Sequence, residues 1–210
     1  MQTNENNWLN IADIMSALMM VFMFIAVAFL YQLLNEKEVY KVELNKALHV
    51  EFDKDLKKWQ AVITDDNIIR FNSPFQSGSD EIPISYGEIL SNFFPRYIKL
   101  LSSREFKKEI AEIRVEGHTS YGWGDLKDEK SIYLNNMDLS QKRASNVLAY
   151  CYGLEDNSIK NNWHWLQKNL RANGMSYSNI LYKTKAKKQQ DANRSRRVEF
   201  KVAVKEQFNG

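Results

Sequence analysis

Two residues in this 210-residue chain stand where their chemistry is costly or selective. Asp13 is the one charge in the run IADIMSALMMVFMFIAVAFLYQLL, Ile11 to Leu34, where Gln32 is the only other strongly polar side chain. A carboxylate inside hydrocarbon costs ~2.5–3.5 kcal/mol at a central position, so it is kept neutral, paired, or turned toward a wet interior. Such a group can take up and release a proton or bind a small cation. Two residues inside the run, it can also snorkel to the interface as a boundary marker. Ser16, Ala17 and Met20 follow at three, four and seven residues, on the same helix face, and small residues there let a partner helix approach. The second residue is Arg143, in Asn136-x-x-Leu139-Ser140-x-x-Arg143-Ala144-x-x-Val147. Its planar fork matches a carboxylate, and its alternative is an ion pair inside the domain.

Other chemistries find little support. There is no Gly-x-Ser-x-Gly, no phosphate loop and no His pair at ligand spacing, and Cys151, on a helix, lacks an evident base, so the chain reads as no enzyme. One cysteine and three histidines exclude an intrachain disulfide framework and make a His-rich zinc site improbable. His49 reads as a surface residue and His118 as a satisfied strand residue. With 44% hydrophobic and 26% charged residues and a net charge of +3, a disordered tail, a collagen-like fibre and a polytopic transporter are excluded. The charge is uneven: residues 157–210 carry twelve Lys and Arg against three acids. A polyanion partner and a solvated face both fit, and Lys183, Lys185, Lys187 and Lys188 fall where a hairpin turn makes lysine ordinary.

The elements that hold these residues follow from periodicity. Ile11 to Leu34, as a helix of roughly 36 Å, is long enough to cross a ~30 Å hydrocarbon core. A cleaved signal peptide competes through Ala26-Val27-Ala28, but residues 1–10 contain no Lys or Arg; a buried core helix would be shorter or carry a polar stripe. Lys37, Lys41 and Lys46 follow the span, which by the positive-inside rule alone places the C-terminal part in the cytoplasm. Leu44, Leu48, Phe52, Leu56 and Trp59 make residues 35–60 an amphipathic helical linker, packed on its own domain or paired with a second copy. From Ala61 the pattern predicts a hairpin over 61–71, a helix over 85–101 with Pro95 as a kink, and a strand over 110–116. A helix over 139–152 opened by Asp138 or Ser140, a further helix over 159–170, and strands over 179–184 and 197–204 complete it. The result is an α+β fold, a βαβαββ sandwich with helices on one face of a mixed sheet.

Two stretches resemble known families. Gly117-His118-Thr119, the Asn136 to Val147 helix motif and Arg196-Arg197-Val198-Glu199-Phe200 occur in the order seen in OmpA-like peptidoglycan-binding domains, over residues 61–205. Ala12-Asp13-Ile14-Met15 with Ala17, Met19 and Met20 resembles the transmembrane segment of the flagellar stator B subunit. That helix joined to an OmpA-like domain is the architecture of the stator B subunits and of their relatives in the Zorya anti-phage defence system. The short tail without a basic stretch and the helical linker without proline favour the defence relatives.

The resemblance implies a division into a cytoplasmic tail (1–10), a transmembrane helix (11–34), a linker (35–60), a wall-binding domain (61–205) and a tail (206–210). It further implies two copies inside a ring of A-type membrane subunits in the bacterial inner membrane, with Asp13 carrying the proton or sodium ion and no cofactor. The C-terminal domain then lies in the periplasm, against the lysine count. In the family, the diaminopimelate of the wall peptide is held by an Asp directly after the Thr of the Gly-His-Thr segment and by the helix-motif Arg. By that match the wall-binding positions are Thr119, Ser120, Asn136, Leu139 and Arg143. Ser120 stands where the family has Asp, so either another acid such as Asp125 substitutes or binding is weaker or altered. Ser195 likewise stands where Asn is usual.

Overall fold

A computed structural model describes residues 3–72, 74–184, 186 and 189–205. They divide into two units, Met1–Glu43 and Leu44–Gly210, with the division inside helix α1 (Thr3–Trp59). The first unit is the N-terminal part of that helix, already helical within the expected tail, and Ile11–Gln32 is long and apolar enough to cross a membrane. Its Ile, Met, Phe and Val side chains are exposed along the whole run, as a helix awaiting an apolar surround would have them.

The second unit begins with the last turns of α1. Leu44, Leu48 and Phe52 recur every four residues and Trp59 follows two turns later, and all four are buried there. This part of the expected linker therefore belongs to the globular unit. β1 (Ala61–Ile63) and β2 (Ile68–Asn72) form the expected hairpin, turned at Asn67 with φ of 60°, a conformation Asn tolerates better than most residues. α2 (Ile84–Leu101) runs through Pro95, and β3 spans Ile110–His118.

Three expectations change. α3 spans Glu129–Tyr152, ten residues longer at its start than the pattern suggested. Its cap is Asp128, whose carboxylate accepts from Ser131 N at 2.9 Å, whereas Asp138 is an exposed partner of Lys142. The single helix over 159–170 is two short ones, α4 (Asn157–Lys160) and α5 (Trp163–Asn169), and Leu170 already opens β4 (Leu170–Gly174). No strand occupies 179–184 among the described residues; one bridge, Tyr182 to Gln190, is found there. Lys183 is exposed, while Lys185, Lys187, Lys188 and the 206–210 tail lie outside the described residues. After the short α6 (Ala192–Ser195), β5 (Arg197–Val204) closes the sheet.

The sheet order is β1-β2-β5-β3-β4, antiparallel except for the β3–β4 pair. The observed order of strands and helices thus adds β4 to the expected series and removes the strand at 179–184. Ile69, Phe71, Ile113, Val115, Val198 and Phe200 alternate onto one face and are buried. They pack against α1 and α2 through an aromatic cluster in which Phe93 lies 4.9 Å from Phe200, 5.1 Å from Phe71 and 5.3 Å from Phe52. Arg96 ties α2 to α1, donating to Glu51 Oε1 at 2.7 Å and Asp55 Oδ2 at 2.8 Å. α3 crosses β3 and β4 on the same face. It comes so close that a Cβ on Gly117 would meet Ser140 O at 2.2 Å and one on Gly174 would meet Gln141 N at 2.7 Å.

Candidate functional site

That close approach assembles a site from two distant stretches of sequence. β3 ends at His118, so Thr119 and Ser120 leave the sheet beside the α3 face that carries Asn136, Leu139 and Arg143. All five line one cavity of about 170 Å³, together with Ser77, Gly78, Gly122, Trp123, Gly124 and Arg196. Asp125 is exposed and does not line it, so among the described residues no acid replaces the one missing at position 120.

Arg143 is 2% exposed. Its Nε donates to Ser79 O and its Nη2 to Gln76 O, both at 2.8 Å, and the guanidinium lies 5.0 Å from the Phe75 ring. One edge of the fork thus pins the loop before α2, and no ion pair engages it among the described residues. Burial, then Arg196, push its pKa down to about 10, against the pull of Asp80; it stays charged at neutral pH.

Of the supporting residues, Ser176 carried no signal in the sequence. Ser176, with φ of 49°, donates its N–H to Ser140 Oγ at 2.9 Å and accepts from Thr119 N at 2.9 Å, joining α3 to the strand end. Asn136 Nδ2 donates to Gly122 O at 3.1 Å and holds the 121–124 loop. Ser195 is buried, accepting from Leu181 N at 3.0 Å, and so shapes the approach to Arg196. Only the Arg196-Arg197 doublet was a signal that could have led to Arg196.

Beneath the site, on the other face of the sheet, sits a buried charge cluster. Glu199 Oε1 accepts from Arg197 Nε at 2.6 Å and Arg70 Nε at 2.7 Å. His118 is not the satisfied residue expected: its ring nitrogens have no hydrogen-bond partner among the described residues, and Nε2 is 3.5 and 3.7 Å from Glu199 and Glu116. Burial opposes ionisation of Glu199, but His118 and Arg197 overcome it and hold the carboxyl well below its usual range. Cys151 is buried, which pushes its thiol up and away from reactivity.

Asp13, in the first unit, is exposed and makes no hydrogen bond or ion pair among the described residues. Ser16 Oγ donates to its own helix, at Ala12 O, 2.8 Å away.

One apolar helix bearing a single acid, continuous with an α+β domain that presents a cationic cavity, defines a class of tethered two-part proteins. The sequence places the chain within it more narrowly: it is 39% identical to the Zorya protein ZorB of Escherichia coli strain Crooks, over 97% of this chain and 89% of that protein. The chain belongs to the ZorB family. No family model matches it. Among solved structures it is similar to a MotB-like protein from Desulfovibrio vulgaris (19% identity, TM-score 0.49, covering 83% of this chain and 98% of that one). It is also similar to the cell wall anchor of the type VI secretion system of Pseudomonas aeruginosa (16%, 0.45, 75% and 97%).

Proposed function

We propose that this chain is the B-type subunit of an ion-driven rotary complex of the bacterial inner membrane, acting in anti-phage defence and anchored to peptidoglycan. The observation that carries the reading is Asp13: a carboxylate in an apolar run, without a hydrogen-bond or ion-pair partner among the described residues, near the small residues Ser16 and Ala17. A carboxylate there is costly in lipid, and partners on other chains would relieve that cost. A homodimer inside a ring of A-type, ZorA-like subunits supplies them. A proton or sodium ion then alternates the carboxylate between neutral and charged, and each change alters its fit to the ring. Each charge crossing the membrane supplies about 2.3 kcal/mol per 100 mV, enough to drive a conformational step.

Rotation is useful against a fixed point. With the N-terminus in the cytoplasm, the α+β unit lies in the periplasm, where Arg143, Thr119, Ser120, Asn136 and Leu139 bind the wall peptide. The guanidinium supplies charge and direction for a carboxylate. Asp13→Asn, isosteric and unable to ionise, tests the mechanism in a host carrying the complete system. Loss of phage protection with membrane assembly intact is expected. Full protection by the variant reduces the chain to a passive wall anchor.

A further inference from the structure

The cavity at the end of β3 has a polarity that the wall-binding reading does not use. Two guanidiniums, Arg143 and Arg196, line it, and no carboxylate does. Asp80, which acts electrostatically on Arg143, is bonded to Asn146 and stands outside the lining. Two donors in the cavity have no partner among the described residues. Arg143 Nη1 makes no hydrogen bond, and Thr119 Oγ1 is buried and unsatisfied in a residue 3% exposed. Leaving the buried Thr119 hydroxyl unmade is costly, Arg143 Nη1 is the one edge of the guanidinium not spent on Ser79 and Gln76, and an anionic oxygen matches both. Arg196 is itself held, with Nη2 donating to Asn193 Oδ1 at 2.6 Å, so both positive charges are fixed in place.

A wall-peptide diamino acid offers a carboxylate and, on the same carbon, an amine. Free, that amine is a cation brought beside two guanidiniums, and no carboxylate side chain lines the cavity to receive it. Acylated, as it is when the peptide is joined to its neighbour, it is a neutral amide whose N–H Ser120 Oγ can accept. We infer that this cavity binds a peptide carboxylate whose adjacent amine is already acylated, so that it grips the cross-linked wall rather than free stem ends. The inference rests on the wall-binding reading and deepens it: Ser120 sets the preference and Arg196 is a second carboxylate-binding residue.

The test uses the full chain in detergent micelles and three synthetic stem tripeptides ending in diaminopimelate. One has the free side-chain amine, one has that amine acetylated, and one has the amine acetylated and the adjacent carboxylate amidated. Isolated sacculi serve as a separate wall-binding control. The acetylated peptide is expected to bind about threefold to tenfold tighter than the free amine, and amidation to cost tenfold or more. Ser120→Asp is expected to invert the order in favour of the free amine. Binding of the acetylated peptide no tighter than the free amine, with sacculi still bound, overturns the inference and leaves the wall-binding reading standing. Equal binding of the amidated peptide refutes the carboxylate contact. Failure to bind any peptide or sacculi removes the wall-binding reading and this inference with it.

Discussion

Gly117→Ala tests how the site is built. The added Cβ would lie 2.2 Å from the carbonyl oxygen of Ser140, more than 1 Å inside the 3.4 Å at which ordinary contact begins. The obstacle is backbone in the middle of α3, so no rotamer relieves it, and either helix or strand must retreat. Overpacking of this kind costs typically 1–3 kcal/mol. Here the retreat also strains the 2.9 Å bond from Ser176 N to Ser140 Oγ, worth about 1 kcal/mol more. A total near ~3 kcal/mol lowers Tm by roughly 6–12 °C for a protein of this size. Because α3 carries Asn136, Leu139 and Arg143 while β3 leads into Thr119 and Ser120, wall-peptide affinity falls with stability. Thermal unfolding of the full chain in detergent, beside a sacculus-binding assay, reads both. A variant with Tm within 1 °C of the parent and unchanged binding would falsify the close-packing account of the site.

Further outcomes follow from single side chains. Arg143→Ala leaves Ser79 O and Gln76 O without their donor and empties the cavity's buried charge; wall binding is expected to vanish and stability to fall by about 2 kcal/mol, measured by sacculus pull-down and denaturant titration. Arg96→Ala removes the ties from α2 to Glu51 and Asp55 and a guanidinium 5.0 Å from the Phe52 ring; about 2 kcal/mol is lost with wall binding retained. Glu199→Gln strips the partner from Arg70 and Arg197 and costs about 3–5 kcal/mol at pH 7. Since the folded-state pKa of Glu199 is depressed, its contribution is present above the ordinary carboxylate pKa and is lost as pH falls through the folded value. Wild type should therefore lose more stability than Glu199→Gln between about pH 5 and 2, and parallel losses would show that Glu199 is not the group responsible.

Periodicity made much of the fold legible because it reports burial. The hairpin over 61–72, α2, β3 and β5 all alternate or repeat against one apolar face, so their positions follow from spacing. Where local pattern and tertiary demand part, position does not follow from spacing. The apolar side chains in the first ten residues of α3 do not share one face, Ile132 being buried while Tyr133 and Leu134 are exposed, and Asp128 as a cap is one acid among several nearby. β4, Leu-Arg-Ala-Asn-Gly, is short and lies parallel beside β3, so its strand character comes from its neighbour rather than its composition. The run over 179–184 looks extended but forms a single bridge, Tyr182 to Gln190, among the described residues.

By itself the sequence determined the apolar helix with its one acid and the α+β class, because both are carried by residue type and periodicity; the five proposed wall-binding positions came from the resemblance to OmpA-like domains. Tertiary structure decided what those positions face. Arg143 spends two donors on the loop at Gln76 and Ser79, Arg196 arrives from the far end of the chain, and Asp125 stays outside the cavity. Ser176 joins strand end and helix from a left-handed backbone that no local pattern announces. The balance of charge in a cavity depends on which distant side chains the packing brings to its walls, and that is set by the approach of α3 over two glycines.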